Sequence, residues 1–155
     1  MKEVYSGFDV APELMDKNNI RLYFKGLDTY ADVYLNGEKI LEADNMFREW
    51  KLPVKDKLKA KDNKLRIYFH SPIKRDMSKW DALPFHYEAI NDQSENGGVF
   101  NRKVSVFARK AGYHYGWDWG PRLVTSGIWR PVLLEAWDDF RIENVFIRQK
   151  EVSYK

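Results

Sequence analysis

The chain has 155 residues, 44% hydrophobic and 15% aromatic, which suits one domain with a fragment of a second and a sizeable buried core. Its 26 basic and 23 acidic residues leave a net charge of +3, so charge forces neither a nucleic-acid nor a membrane partner. With no cysteine there is no disulfide framework and no thiolate metal site, and no apolar run is long enough to span a bilayer.

The opening MKEVYSGFDV lacks the apolar core of a signal peptide, and absence of cysteine fits a reducing cytoplasm as well as a bacterial periplasm, so the compartment stays open. Val4 to Val10 alternates weakly and reads as an incoming strand. Pro12, Asp16, Asn18 and Asn19 mark a turn. Ile20, Leu22 and Phe24 then alternate with Arg21, Tyr23 and Lys25, the period of a half-buried strand. After a turn at Gly26–Asp28, Thr29 to Leu35 puts Ala31, Val33 and Leu35 on one face. Asn36-Gly37 follows at once and predicts a tight hairpin into Glu38–Leu41, because both residues tolerate positive φ.

Met46 to Leu52 reads as a further short strand, Lys55 to Lys64 as a solvated loop, and Leu65, Ile67 and Phe69 as a clear strand. From Ser71 to Ser126 the periodicity weakens under repeated Pro and Gly. So long an irregular excursion is functional or disordered, and Trp80, Phe85 and Tyr87 argue against disorder. Within it, Phe100, Val104, Phe107 and Ala111 fall at helical spacing, while Val104, Val106 and Ala108 alternate. Gly127 to Trp137 returns to strand, with Val132, Leu133 and Leu134 continuous as in a buried one. Asp138-Asp139 breaks it, and Phe140 to Gln149 starts a new alternating run. Many short strands, little helix and one long inserted loop predict an all-β fold, a β-sandwich or jelly roll.

The chemistry concentrates in Tyr113–Arg122, YHYGWDWGPR, where Asp118 sits between Trp117 and Trp119. Glycines and a proline make this a tight loop. Tryptophan stacks on the apolar face of a pyranose and a carboxylate accepts from its hydroxyls, so the residue types suit a sugar. The competing reading is a packed turn whose aromatics fill the core and whose Asp caps a backbone group.

The histidines His70, His86 and His114 lack metal-ligand spacing, so no metal is expected. Asp76, Asp81, Glu88, Asp92, Glu95 and Asp118 are all candidates for a glycosidase carboxylate pair, but spacing selects none. Basic residues with aromatics at Phe100–Arg109 suggest single-stranded nucleic acid, which the near-neutral balance argues against.

Four stretches together resemble glycoside hydrolase family 2, in particular the N-terminal jelly-roll, or sugar-binding, domain of its β-mannosidases. They are YADVYLNGEKI (Tyr30–Ile40), NMFREW (Asn45–Trp50), RKAGYHYGWDWGPR (Arg109–Arg122) and GIWRPVLLE (Gly127–Glu135). The hairpin and the GIWRPV-type strand are similar to the whole family, the GWDWGP loop to the mannosidase branch.

The resemblance implies a galactose-binding-domain-like jelly roll over residues 1–138, lacking its opening strands, and the start of an immunoglobulin-like sandwich over residues 139–155. It implies a parent that is a retaining exo-hydrolase of non-reducing terminal β-D-mannose, without a cofactor, whose catalytic glutamates lie on a downstream (β/α)8 barrel. Such a barrel takes about 250 residues, so no catalytic residue is expected here and the fragment alone should be inactive. The implied partners are a β-mannoside glycan and that barrel, with no nucleic acid and no membrane; a bacterial parent would place it in the periplasm or outside the cell. By the same resemblance Trp117 and Asp118 touch the sugar, Trp119 buttresses the loop, and Arg109 and Arg122 support it by holding Asp118. A self-sufficient carbohydrate-binding module and a purely structural bracing domain remain the alternatives. Buried rings with a satisfied Asp118 would favour packing.

Overall fold

The computed structural model describes residues 2–97 and 99–153. Nine strands are assigned within them: β1 (Lys2–Phe8), β2 (Asn19–Phe24), β3 (Leu27–Asp28), β4 (Tyr30–Leu35), β5 (Glu38–Asp44), β6 (Trp50–Pro53), β7 (Asn63–Phe69), β8 (Gly127–Ile128) and β9 (Val132–Trp137). One antiparallel sheet runs β1-β7-β4-β5, a second β6-β2-β9, and β3 pairs with β8 alone. The two larger sheets close on each other as a β-sandwich.

Period-two alternation decides the faces. In the first sheet Ala31, Val33 and Leu35 lie opposite Phe69, Ile67 and Leu65. In the second, Ile20, Leu22 and Phe24 lie opposite Ala136, Leu134 and Val132. These residues meet in one core with Val10, Leu27, Ala43 and Val54. Each large side chain fully withdrawn from water there contributes about 1.5–3 kcal/mol. The hairpin forms as predicted: Asn36 and Gly37 take φ of 53° and 91° between β4 and β5.

The outer face of β2 is covered as well, because Arg21 lies across from Glu135 at 2.8 Å and reaches Glu143 at 2.6 Å. Three expectations need correction. Met46 to Leu52 forms a strand only from Trp50, since Met46 turns inward and its N–H bonds the Arg109 carbonyl instead. The continuous apolar Val132–Leu134 belongs to an edge strand whose Leu133 faces outward, not to a buried one. Residues 140–149 carry no assigned strand; their alternation is intact, but among the described residues no strand pairs with them.

The excursion between β7 and β8 is ordered around its own small core. Helix α1 (Pro12–Met15) is a single turn elsewhere, but α2 (Pro72–Asp81) is a full helix inside the excursion. Ser71 caps it by accepting from the Lys74 N–H at 3.3 Å, and Pro72 opens its first turn. Trp80 joins buried Val104 and Tyr115, with Ile73, Met77, Phe107, Ala108 and Val124 packed around them. The predicted helical spacing from Phe100 to Ala111 reduces to a 3₁₀ turn at Val104–Phe107.

Among the polar links that tie the excursion to the sandwich, two are buried side-chain pairs. The Tyr30 hydroxyl donates to Asp76 at 2.9 Å, and Lys79 pairs with the same carboxylate at 2.5 Å. Lys110, its side chain fully buried, donates to Asp28 at 2.6 Å and to the Thr125 carbonyl at 2.8 Å.

Candidate functional site

The site is built outward from the second core, which holds Tyr115. A 3₁₀ turn at Gly112–Tyr115 ends with Tyr115 fully buried, which anchors the loop's entry. Gly116 follows at φ 120°, a conformation that excludes most side chains. Trp117 N–H then donates to the Gly120 carbonyl at 3.3 Å and Gly120 N–H to the Trp117 carbonyl at 3.2 Å. This reciprocal pair closes a four-residue turn with Asp118 and Trp119 at its tip.

The turn displays its rings. Trp117 is 39% exposed and Trp119 85%, with ring centroids 6.4 Å apart and planes at 84°. The Asp118 carboxylate is exposed and, among the described residues, has no hydrogen bond or ion pair. Beside the turn runs an open groove of about 820 Å³ lined by Tyr113, His114, Trp117, Trp119, Leu123 and Thr125. No carboxylate lines it, so it offers stacking faces with Asp118 at its margin, not an acid–base pair. A separate cavity of about 290 Å³ lies between the sheets against Val4, Phe8, Leu22 and Ile67, where side chains offer no charge.

His114 forms part of the groove wall. Its ring stacks on Tyr113 at 4.7 Å, and its Nδ1 meets the Thr125 hydroxyl at 3.0 Å. Burial pushes its pKa below the usual histidine value, and the nearby Lys110 ammonium pushes it the same way. The ring is therefore neutral at neutral pH, held as a wall element. Among the described residues no cluster of His, Asp or Glu could hold a metal ion, and no helix is long and apolar enough to cross a membrane.

The structure brings Trp117, Asp118 and Trp119 together and sends both arginines elsewhere. Arg122 Nε faces Asp92 Oδ1 at 3.4 Å, with side chains 4% and 0% exposed, and its guanidinium lies 5.7 Å from the Tyr115 ring. It thus supports the loop's exit without holding Asp118. Arg109 sits on the opposite flank: its Nη1 lies 3.6 Å from Asp44, and it forms a bridge with Asn45. Trp119, expected to buttress the loop, is largely exposed, with its ring edge-to-face against Trp117.

The loop's real supports are Asp92 and Gln93, of which only Asp92 stood out in the sequence, as one of six undistinguished carboxylates. Gln93 N–H donates to the Tyr115 carbonyl at 2.9 Å and its Nε2 to the Trp117 carbonyl at 2.6 Å. Contacts spanning 22 to 30 residues leave no local spacing to read.

Comparison with known proteins converges on one group. Residues 3–130 match the family described as glycosyl hydrolase 2 galactose-binding domain-like. A β-mannosidase B of Thermothelomyces thermophilus is 43% identical over 129 residues, which cover 83% of this chain and 14% of that protein. One from Aspergillus fumigatus is 46% identical over 119 residues, covering 76% and 13% respectively. The crystal structure of a β-D-mannosidase from Dictyoglomus thermophilum superposes with a TM-score of 0.85 at 36% identity, covering 97% of this chain and 17% of that one. The chain thus spans about one seventh of the length of the curated relatives it matches.

Proposed function

The chain belongs to the glycosyl hydrolase 2 galactose-binding-like domains, and from that premise we propose that it is the sugar-binding domain of a β-mannosidase, lending one wall to a pocket for terminal β-mannose. Trp117 stacks on the sugar and Asp118 accepts from its hydroxyls. The domain occupies residues 1–138, and residues 139–155 open a following immunoglobulin-like sandwich. The reacting carboxylates belong to a (β/α)8 barrel of the same parent chain, so this domain binds and orients without cleaving.

One observation carries the reading: the Asp118 carboxylate stands unpaired between two exposed tryptophans. A turn made for packing buries its rings and pairs its charge, since exposed aromatics and unpartnered tip charges contribute nothing to stability. That the relatives are β-mannosidases supports mannose as the sugar.

The test has two arms. In a chain joining these residues to their catalytic barrel, Asp118→Ala lowers kcat/KM for an aryl β-mannoside about 100-fold, in keeping with roughly 3 kcal/mol for a hydrogen bond to a charged group. Unchanged kcat/KM sinks the proposal. In the isolated chain, mannose at tens of millimolar leaves the Trp117 and Trp119 indole signals in place if the pocket is only half built here. Saturable shifts lost in Asp118→Ala identify a self-sufficient binding module instead.

A further inference from the structure

Among the described residues no helix or strand hydrogen-bonds the Trp117–Gly120 turn. What holds it is the Asp92-Gln93 dipeptide, from the middle of the excursion. Gln93 grips the turn twice, N–H to the Tyr115 carbonyl at 2.9 Å and Nε2 to the Trp117 carbonyl at 2.6 Å. Gly116 lies between those two carbonyls, and the Gln93 side chain fills the space its Cβ would take: Cγ, Cδ and Cβ lie 2.7, 2.8 and 3.0 Å from that position. The preceding residue secures the exit. Asp92 Oδ1 takes Arg122 Nε at 3.4 Å while Oδ2 accepts the Ser105 N–H at 2.9 Å.

We propose that Gln93 is the positioning residue of this site: its side-chain amide sets where the Trp117 ring and the Asp118 carboxylate stand. The proposal builds on the reading of those two as sugar contacts, but its geometry requires no sugar. The amide matters chemically. The Trp117 carbonyl is an acceptor already shared with Gly120 N–H, so only a donor completes it. A carboxylate of the same shape would set acceptor against acceptor and push the turn away.

Three variants of this chain test it: Gln93→Glu, with the shape but not the donor; Gln93→Met, with similar volume and no charge; and Ser94→Ala as a neighbour control. The readouts are the heteronuclear NOE of the 117–119 amides, the Trp117 indole shift and the melting midpoint. Expected in Glu and Met variants alike is a fall of the 117–119 NOE below that of the strands, with a moved Trp117 indole. The midpoint stays within about 2 °C of the parent, and Ser94→Ala is silent. Lowering the pH through the usual glutamic acid value, about 4.3, restores the Gln93→Glu turn but not the Gln93→Met one, because the protonated acid donates again.

Unchanged order at 117–119 in both variants overturns the proposal. So does global unfolding of both, which would make Gln93 a core residue. A turn loosened by Gln93→Met whose tryptophans never respond to mannoside, in this chain or joined to its barrel, leaves the positioning role standing and removes the sugar reading.

Discussion

The Lys110 ammonium is buried against the Asp28 carboxylate, 82 residues earlier in the chain, and the Thr125 carbonyl accepts a further hydrogen bond from it. This pair pins the end of the excursion to β3. Burial lowers the lysine pKa, and the adjacent carboxylate opposes that shift by favouring the charged form. Lys110→Met leaves Asp28 buried without its cation, a loss of about 3–5 kcal/mol. Urea unfolding of the variant measures it; a loss below about 1 kcal/mol would mean that the cavity is wet enough to solvate Asp28.

A second close approach is apolar. Trp129 lies across Gly26, so that a Cβ on Gly26 would come within 2.4 Å of the ring Nε1, which donates to the Met46 carbonyl at 2.9 Å. Gly26→Ala therefore displaces the Trp129 ring, at the roughly 1–3 kcal/mol typical of overpacking. The expected signature is a lower melting midpoint together with fast exchange of the Trp129 indole proton. Retained protection of that proton would show that the backbone at Gly26 yields instead.

What the sequence made legible follows from range. Ala31, Val33 and Leu35 declare their face by alternation, and Asn36-Gly37 declares its turn by tolerated φ; both are local facts and both stand in the structure. Helix α2 was hidden because its inward face carries Asp76, which breaks the apolar stripe from Ile73 to Trp80 and is buried against the Tyr30 hydroxyl, 46 residues away, as well as its neighbour Lys79. The Ser71-Pro72 start signal was there to be read. Phe140–Gln149 has strand alternation, yet alternation supplies no partner strand. At the site, residue types drew attention to Trp117, Asp118 and Trp119, while Arg122 with Asp92 and Gln93 with Trp117 are distant pairings that no spacing announces.

His114 gives the groove a pH dependence. It faces Lys110, Asp28, the Thr125 hydroxyl and the Leu123 carbonyl, and burial is the largest cause of its lowered pKa. The unfolded chain then takes up this proton more readily than the folded one. Stability contributed by the neutral ring is complete above the unfolded value, about pH 6.5, and is lost as pH falls through the lower folded value. An NMR titration of the ring should give a midpoint below 6.5, and amides of residues 113–125 should exchange faster at pH 5.5 than at pH 7.5 after correction for intrinsic rates. A midpoint above 6.5 would contradict the burial argument.

Two tryptophans of the excursion separate packing from display. Trp80 is 6% exposed at the centre of the small core, with His86 stacked on it at 4.0 Å, whereas Trp119 is 85% exposed at the tip of the turn. Truncating a buried tryptophan costs about 3–5 kcal/mol, and changing a surface residue that packs against little costs within about 0.5 kcal/mol. Trp80→Ala should therefore melt the excursion and release Val104 and Tyr115 to solvent, while Trp119→Ala should unfold in urea at nearly the parent midpoint. If Trp119→Ala loses as much as Trp80→Ala, the turn is a structural plug and its aromatics are not there for a ligand. If it loses nothing, an indole has been kept in water without contributing to the fold, which is what a stacking surface requires.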